Sequence, residues 1–302
     1  MDNGHLNWGL PLIIDLFAAG MGAGAYLVAV AADLASKKKK LRDVSLAGSF
    51  IAPWPAIIGV LLLVIDLGNP QRFWEMILNR GDGVLTLNAP FVMFAPSSVM
   101  SWGTWVLSLF IIVSLCYFAA HIASFALHWV APIRKIIGVI GLFFAIPVMV
   151  YTGVLISSCN NPLWNSFWLP TLFVVSAVAT GVAAIIFVLS AWRLFLSPTE
   201  PQEPNVERLE KANSMLLIAQ AVVLVLFMIG TLMAGSQGMK NILGLPFIYL
   251  FWPGIVGLGL VLPIITGLKG RLKPEMSFII SACVMLGGFF LRYVILIAGQ
   301  TV

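Results

Sequence analysis

The sequence predicts an all-α membrane protein of about eight transmembrane helices in two four-helix bundles, with both termini outside. Three observations predict it. Of 302 residues, 60% are hydrophobic and only 10% charged, whereas soluble domains carry roughly 25% charged residues. The mean hydropathy is +1.01. The charges fall in short clusters between apolar runs of about 20 residues, each long enough to cross roughly 30 Å of hydrocarbon.

Apolar windows place the spans near 9–33, 44–67, 98–121, 136–157, 168–195, 212–234, 247–268 and 277–299. The N-terminal "MDNGHLNWGL" lacks a basic n-region and a small-residue cleavage site, so the first helix reads as a retained anchor. The loops after helices one, three, five and seven hold Lys37 to Lys40 with Arg42, then Arg134 and Lys135, then Arg193, Arg208 and Lys211, then Lys269, Arg271 and Lys273. Only Arg72, Arg80, Lys240 and Arg292 of the 17 basic residues lie elsewhere. The positive-inside rule turns the basic loops to the cytoplasm and the loops near 68–97, 158–167 and 235–246 outward. The net charge of +5 is then mostly topology: it implies membrane lipids around the chain and no nucleic-acid partner. The domain reading is 1–196 for the first bundle plus helix five, 197–211 for a Pro-rich, acidic cytoplasmic linker, and 212–302 for helices six to eight. The first and fifth helices echo each other: "WGLPLIIDLFAAGMGAGA" resembles "WLPTLFVVSAVATGVA", with Leu16 and Phe17 matching Leu172 and Phe173. The small residues of "AAGMGAGA" suit close backbone approach, and Pro53, Pro55, Pro147 and Pro263 predict bends.

Polar residues inside spans cost about 2.5 to 3.5 kcal/mol each when charged and central, so they mark function or compensation. Asp15 and Arg292 read either as a polar site near the outer surface or as a structural pair. Asp33 and Asp66, at helix ends, read equally well as interfacial residues. His121 and His128 are expected at the inner interface or in solvent. Three histidines are too few for a dihaem cytochrome b, which needs four ligands. Cys116, Cys159 and Cys283 have no metal-ligand spacing; Cys116 and Cys283 read as helix-packing residues. No metal ligands are assigned.

The most distinctive stretch follows helix two. "DLGNPQRFW", "SVMSWGTW" entering helix three, "YTG" at Tyr151 to Gly153, "NPLWNSFWLPTLFVVSAVATG" and "GGFFLRYVILIAG" occur in order across nearly the whole chain. Together they resemble the NrfD/PsrC family of polysulfide reductase membrane subunits. That resemblance implies a multi-pass subunit of a bacterial or archaeal cytoplasmic membrane, free of haem and clusters and binding menaquinone or ubiquinone. It also implies a ferredoxin-like iron-sulfur subunit at the outer face and, through it, a molybdopterin-type or other redox catalytic subunit. The quinone site is then expected at the outer ends of helices one to four. Asp15, Asp66 and Tyr151 would transfer protons or bond the quinone oxygens, with Trp8, Phe17, Trp54, Arg72 and His5 around the ring. Proton translocation is a further expectation, with Asp33 and Gln220 on an inward path. The competing reading is a secondary transporter or ion channel, which also uses buried charges and kinked helices. A structural anchor without quinone is the third.

Overall fold

In a computed structural model, the described residues are 9–35, 41–66, 99–159, 161, 163–196, 204–235, 237–245, 247–270 and 272–300. They form α1 (Leu10–Ala35), α2 (Arg42–Ile51), α3 (Pro53–Asp66), α4 (Val99–Ala126), α5 (Val130–Ser157), α6 (Trp168–Leu196), α7 (Pro204–Met233), the short α8 (Gln237–Leu243), a π-helical stretch Leu250–Val261 continued by α9 (Leu262–Leu268), and α10 (Pro274–Gln300). Among the described residues, eight spans are long and apolar enough to cross a membrane, α2 with α3 and the π-helical stretch with α9 each counting as one.

The apolar windows found the spans but cut several short at the basic end. α5 begins at Val130 and α7 at Pro204, because charges within the first two turns pull the opening of a helix out of a hydropathy window while remaining good helix. Proline suits the first turn of α7, where its missing N–H is not needed. The end of the expected linker is therefore helical, and Glu207 and Lys211 form an i,i+4 pair there at 2.9 Å. The second span breaks at Ala52, between α2 and α3. Pro53 and Pro55 lack the N–H groups that would continue the ladder, which accounts for the break. Pro263 lies in the first turn of α9, where π winding returns to α.

Packing is organised around α1, which touches α2, α3, α5, α6 and α10. Its small residues permit this. A Cβ on Gly24 would overlap the carbonyl oxygen of Ala177 in α6, and one on Gly181 would overlap the α1 backbone at Ala25. The two helices thus meet backbone to backbone, and their echoing sequences lie against one another. On a different face, Gly22 receives the Ala52 carbonyl at the α2–α3 break. Cys116 does not pack inward as expected: it is exposed on the outer surface of α4.

At the basic end, a polar network ties α1, α2, α4 and α5. Arg134 holds Asp33 bidentately, Nε to Oδ2 at 3.0 Å and Nη2 to Oδ1 at 2.5 Å, while its Nη1 donates to Ser124 Oγ at 2.8 Å. The Tyr117 hydroxyl donates to Asp33 Oδ2 at 3.4 Å and shares a 3.2 Å bond with Ser45 Oγ. Asp33 is therefore not an interfacial carboxylate but a buried, paired one. His121, expected at an interface, is fully buried beside the Tyr117 ring, whereas His128 is exposed. At the opposite end the connection between α5 and α6 folds over α10. Asn161 Nδ2 donates to the Gly299 carbonyl at 2.7 Å, and Trp164 Nε1 to that of Ile295 at 3.0 Å. The Trp164 indole occupies the space beside Gly299 that a side chain would need.

Breaking the Asp33–Arg134 pair should be costly because it strands a buried charge. Asp33→Ala is expected to destabilise by about 3 to 5 kcal/mol, and adding Arg134→Met should recover most of that loss. Thermal unfolding of the detergent-solubilised variants measures both. Gly24→Leu is expected to push α1 off α6 and abolish monodisperse protein in size-exclusion chromatography.

Candidate functional site

Asp15 lies in the second turn of α1, at the end away from the basic loops, and is buried. Helix spacing turns it toward α3, where Gly59 makes room: a Cβ at Gly59 would fall on the Asp15 carboxylate. The same device serves Tyr151. Its phenol ring, carried by α5, fills the space beside Gly103 of α4, so "SWGTW" supplies a slot for the tyrosine of "YTG". Tyr151 and Asp15 are electrostatic neighbours. Two glycines from two further helices thus admit one carboxylate and one phenol into the same region of the protein.

The carboxylate is incompletely met. Asp15 Oδ1 is buried with no hydrogen-bond partner among the described residues. An unmet buried acceptor or donor costs about 1 to 3 kcal/mol. Such groups persist where something else completes them. An apolar ring bearing oxygens that accept and release protons would fit the carboxylate and the phenol: a phenol can donate, and a carboxyl group can donate or accept.

The remaining expected site residues divide clearly. Asp66 ends α3 at the same end as Asp15, is exposed, and its carboxylate comes near Gly9: a Cβ there would stand 3.6 Å from Oδ2. Phe17 belongs to another face of α1, packed edge-on against Phe289 of α10 with ring centroids 5.8 Å apart. Trp54 is 43% exposed on the outer surface and tilts against Phe50. Phe17 thus faces α10 and Trp54 the surface, away from the Gly59 side that Asp15 meets. His5, Trp8 and Arg72 lie outside the described residues.

Arg292 is not paired with Asp15. It sits on α10, fully buried, and approaches Gly20 of α1, where a Cβ would stand 3.1 Å from Nη2. Its Nη1 donates to Ser176 Oγ at 3.2 Å and to the Gly288 carbonyl at 3.1 Å, while Nε and Nη2 have no partner among the described residues. Phe173 and Phe17 hold their ring centroids 5.1 and 5.5 Å from its guanidinium carbon, within cation–π range. These are the two phenylalanines that the helix-one and helix-five echo aligns. Sequence reasoning missed Gly59 and Gly103. The signal for Gly103 was present inside a distinctive motif, but nothing in a sequence says which partner a glycine admits.

Comparison with known proteins gives a match over residues 1–302 to the family model described as "Polysulphide reductase, NrfD". Among curated relatives, the C subunit of the Wolinella succinogenes polysulfide reductase is 29% identical, the match covering 97% of this protein and 94% of the relative. The NrfD homolog of Haemophilus influenzae is 25% identical, covering 98% and 95%. An Hdr-like menaquinol oxidoreductase integral membrane subunit of Archaeoglobus fulgidus is 21% identical, covering 98% and 70%.

Because Asp15 carries an unmet oxygen, Asp15→Asn should leave the unfolding temperature unchanged or raise it, the pattern of a residue kept for function rather than stability. A fall of several degrees in differential scanning fluorimetry would identify Asp15 as a structural anchor.

Proposed function

Since this chain belongs to the NrfD family of polysulphide reductase membrane subunits, we propose that it is the haem-free subunit of a respiratory oxidoreductase complex that exchanges electrons with membrane quinone. The observation that carries this reading is the buried Asp15 carboxylate with an unmet oxygen, in the neighbourhood of the Tyr151 phenol. The name of the Archaeoglobus relative, a menaquinol oxidoreductase subunit, supports menaquinone as the carrier. The names of the polysulfide reductase and menaquinol oxidoreductase relatives support a role as one chain of a larger complex.

A quinone takes up two electrons and two protons on reduction and releases them on oxidation of the quinol. This chain's part is to hold the ring and handle the protons. Tyr151 donates a hydrogen bond to a quinone oxygen and orients it. Asp15 accepts or returns a proton, and Asp66, exposed at the same end, passes it to water. Trp8, His5 and Arg72, which lie outside the described residues, are proposed as further quinone contacts. Asp33 plays no part in this relay, since both its oxygens are committed to Arg134.

The two sets of helices, α1 to α5 and α6 to α10, form the two bundles, with the basic loops in the cytoplasm and both termini outside. A ferredoxin-like iron-sulfur subunit docks on the outer loops near 68–97 and 158–167 and supplies the cluster that meets the quinone. A molybdopterin-type or other redox subunit lies beyond it.

In the intact complex, Asp15→Asn and Tyr151→Phe are each expected to lower quinol-linked electron transfer by roughly 10²-fold or more with normal assembly, the usual weight of a general acid or base. Full turnover by Asp15→Asn would remove it from the mechanism. For the docking arrangement, site-specific crosslinkers at Asn165 and at Lys38 are predicted to capture the cluster-bearing partner from Asn165 alone. Capture from Lys38 alone would reverse the orientation.

A further inference from the structure

Between α2 and α4 the surface carries a line of aromatic rings that begins at a cation. Arg42, in the first turn of α2, holds its guanidinium carbon 3.7 Å from the centroid of the Phe125 ring on α4. Phe118 and Ile122 share the face of α4 that carries Phe125, at helical spacing. Phe118 packs edge-on against Phe50 of α2 with ring centroids 5.6 Å apart, and Phe50 tilts against Trp54 of α3 at 6.4 Å. Phe125, Ile122, Phe50 and Trp54 are all exposed. From Arg42 to Phe50 the helix rises about 12 Å, close to the roughly 15 Å of hydrocarbon in one leaflet. The seam thus has a charged head and an apolar body of leaflet length.

The cation is free to bind at its edge. At 3.7 Å the planar guanidinium lies flat on the Phe125 ring, because edge-on its nitrogens would collide with the ring carbons. Lying flat, it keeps its N–H groups in its own plane, clear of the ring. None of them has a hydrogen-bond acceptor among the described residues. Asp33, the buried carboxylate of this end, is committed to Arg134. Asp43 follows Arg42 along α2, is exposed, and forms no ion pair with it among the described residues. Leu41 at the N-cap supplies no side-chain cap, so the positive end of the α2 dipole adds to the charge of Arg42.

We propose that the seam between α2 and α4 holds one anionic phospholipid, its phosphate oxygens on the in-plane N–H groups of Arg42 and one acyl chain along Phe125, Ile122, Phe118, Phe50 and Trp54. A guanidinium edge matches two phosphate oxygens at once. In the sequence, Lys37 to Lys40 and Arg42 stand against Asp43 alone over 37–43. That balance favours a lipid of net negative charge over a zwitterionic one, whose ammonium group would meet the same positive field. Bound there, the lipid ties the broken second span to α4. The site lies at the end of the spans opposite Asp15 and does not rest on the quinone reading.

The test is thermal unfolding of the purified full-length chain, delipidated in dodecyl maltoside and titrated with dioleoyl phosphatidylglycerol or dioleoyl phosphatidylcholine. A saturable rise in midpoint is expected, half-complete at about fivefold less phosphatidylglycerol than phosphatidylcholine. Arg42→Gln removes the phosphate contact and should raise the half-saturating phosphatidylglycerol roughly tenfold. Phe125→Leu, at an exposed position, removes the ring that lays Arg42 flat and should raise it several-fold, which keeps the test open if Arg42→Gln does not fold. Lys211→Gln, at the same end but paired with Glu207, should leave the titration unchanged. Equal titrations with the two lipids overturn the proposal, as does a phosphatidylglycerol response that neither seam variant alters. A loss in Lys211→Gln as large as in Arg42→Gln also overturns it, because the lipid would then answer the charge of the whole face. The same midpoint rise from glycerophosphoglycerol, the headgroup without acyl chains, overturns it by assigning Arg42 to a free phosphate ester.

Discussion

Everything else in this structure depends on how closely α1 can approach α6. In a bilayer the hydrophobic effect does not hold helices together, since lipid tails are as apolar as leucine, so association rests on van der Waals contact and hydrogen bonds between helices. The backbone contact at Gly24, Ala177 and Gly181 gives that contact its shortest range. It lets α1 face α3 and α5 on one side and α6 and α10 on another. Asp15 and Arg292 are consequently kept on different faces of one helix, each with its own surroundings.

The buried polar groups sort by how fully they are met. Asp33 has two guanidinium donors and a phenol, and the network joins four helices; its chemistry is spent on structure. Asp15, Arg292 and Asn213 each leave an atom unmet. A fully satisfied network specifies a packing, whereas a half-satisfied one is a cost that folding alone does not explain. Arg292 shows an intermediate solution. Two aromatic faces, one hydroxyl and one backbone carbonyl share its charge in place of a carboxylate, which leaves Asp15 unneutralised by it.

The spans were legible because hydropathy is additive along the chain and needs no knowledge of neighbours. Helix breaks at Pro53 and Pro55 were legible because proline's missing N–H is a local fact. Which face each residue occupies was not. In a soluble helix, polar and apolar stripes announce the inward side, but here lipid and protein interior are both apolar, and the stripe disappears. Hence Phe17 and Trp54, which read as pocket aromatics, lie against α10 and on the outer surface. Helix ends were blurred for a related reason: Arg134 and Glu210 lie inside helices, yet their charge truncates any apolar window. Asp15 and Tyr151 were found because ionisable or phenolic groups in a span are rare enough to stand out. Their glycine partners were not, because a glycine's meaning lies in the atom that fills its missing Cβ.

The clasp of Asn161 and Trp164 on Gly299 and Ile295 constrains biogenesis. During synthesis, α10 leaves the ribosome after all the helices it packs against, carrying a guanidinium that has no partner until Ser176, Phe173 and Phe17 surround it. Burial of that charge therefore requires docking on helices already made, and the indole of Trp164 covers its far end. A chain in which α1 and α6 are misassembled offers α10 no place to bury its charge.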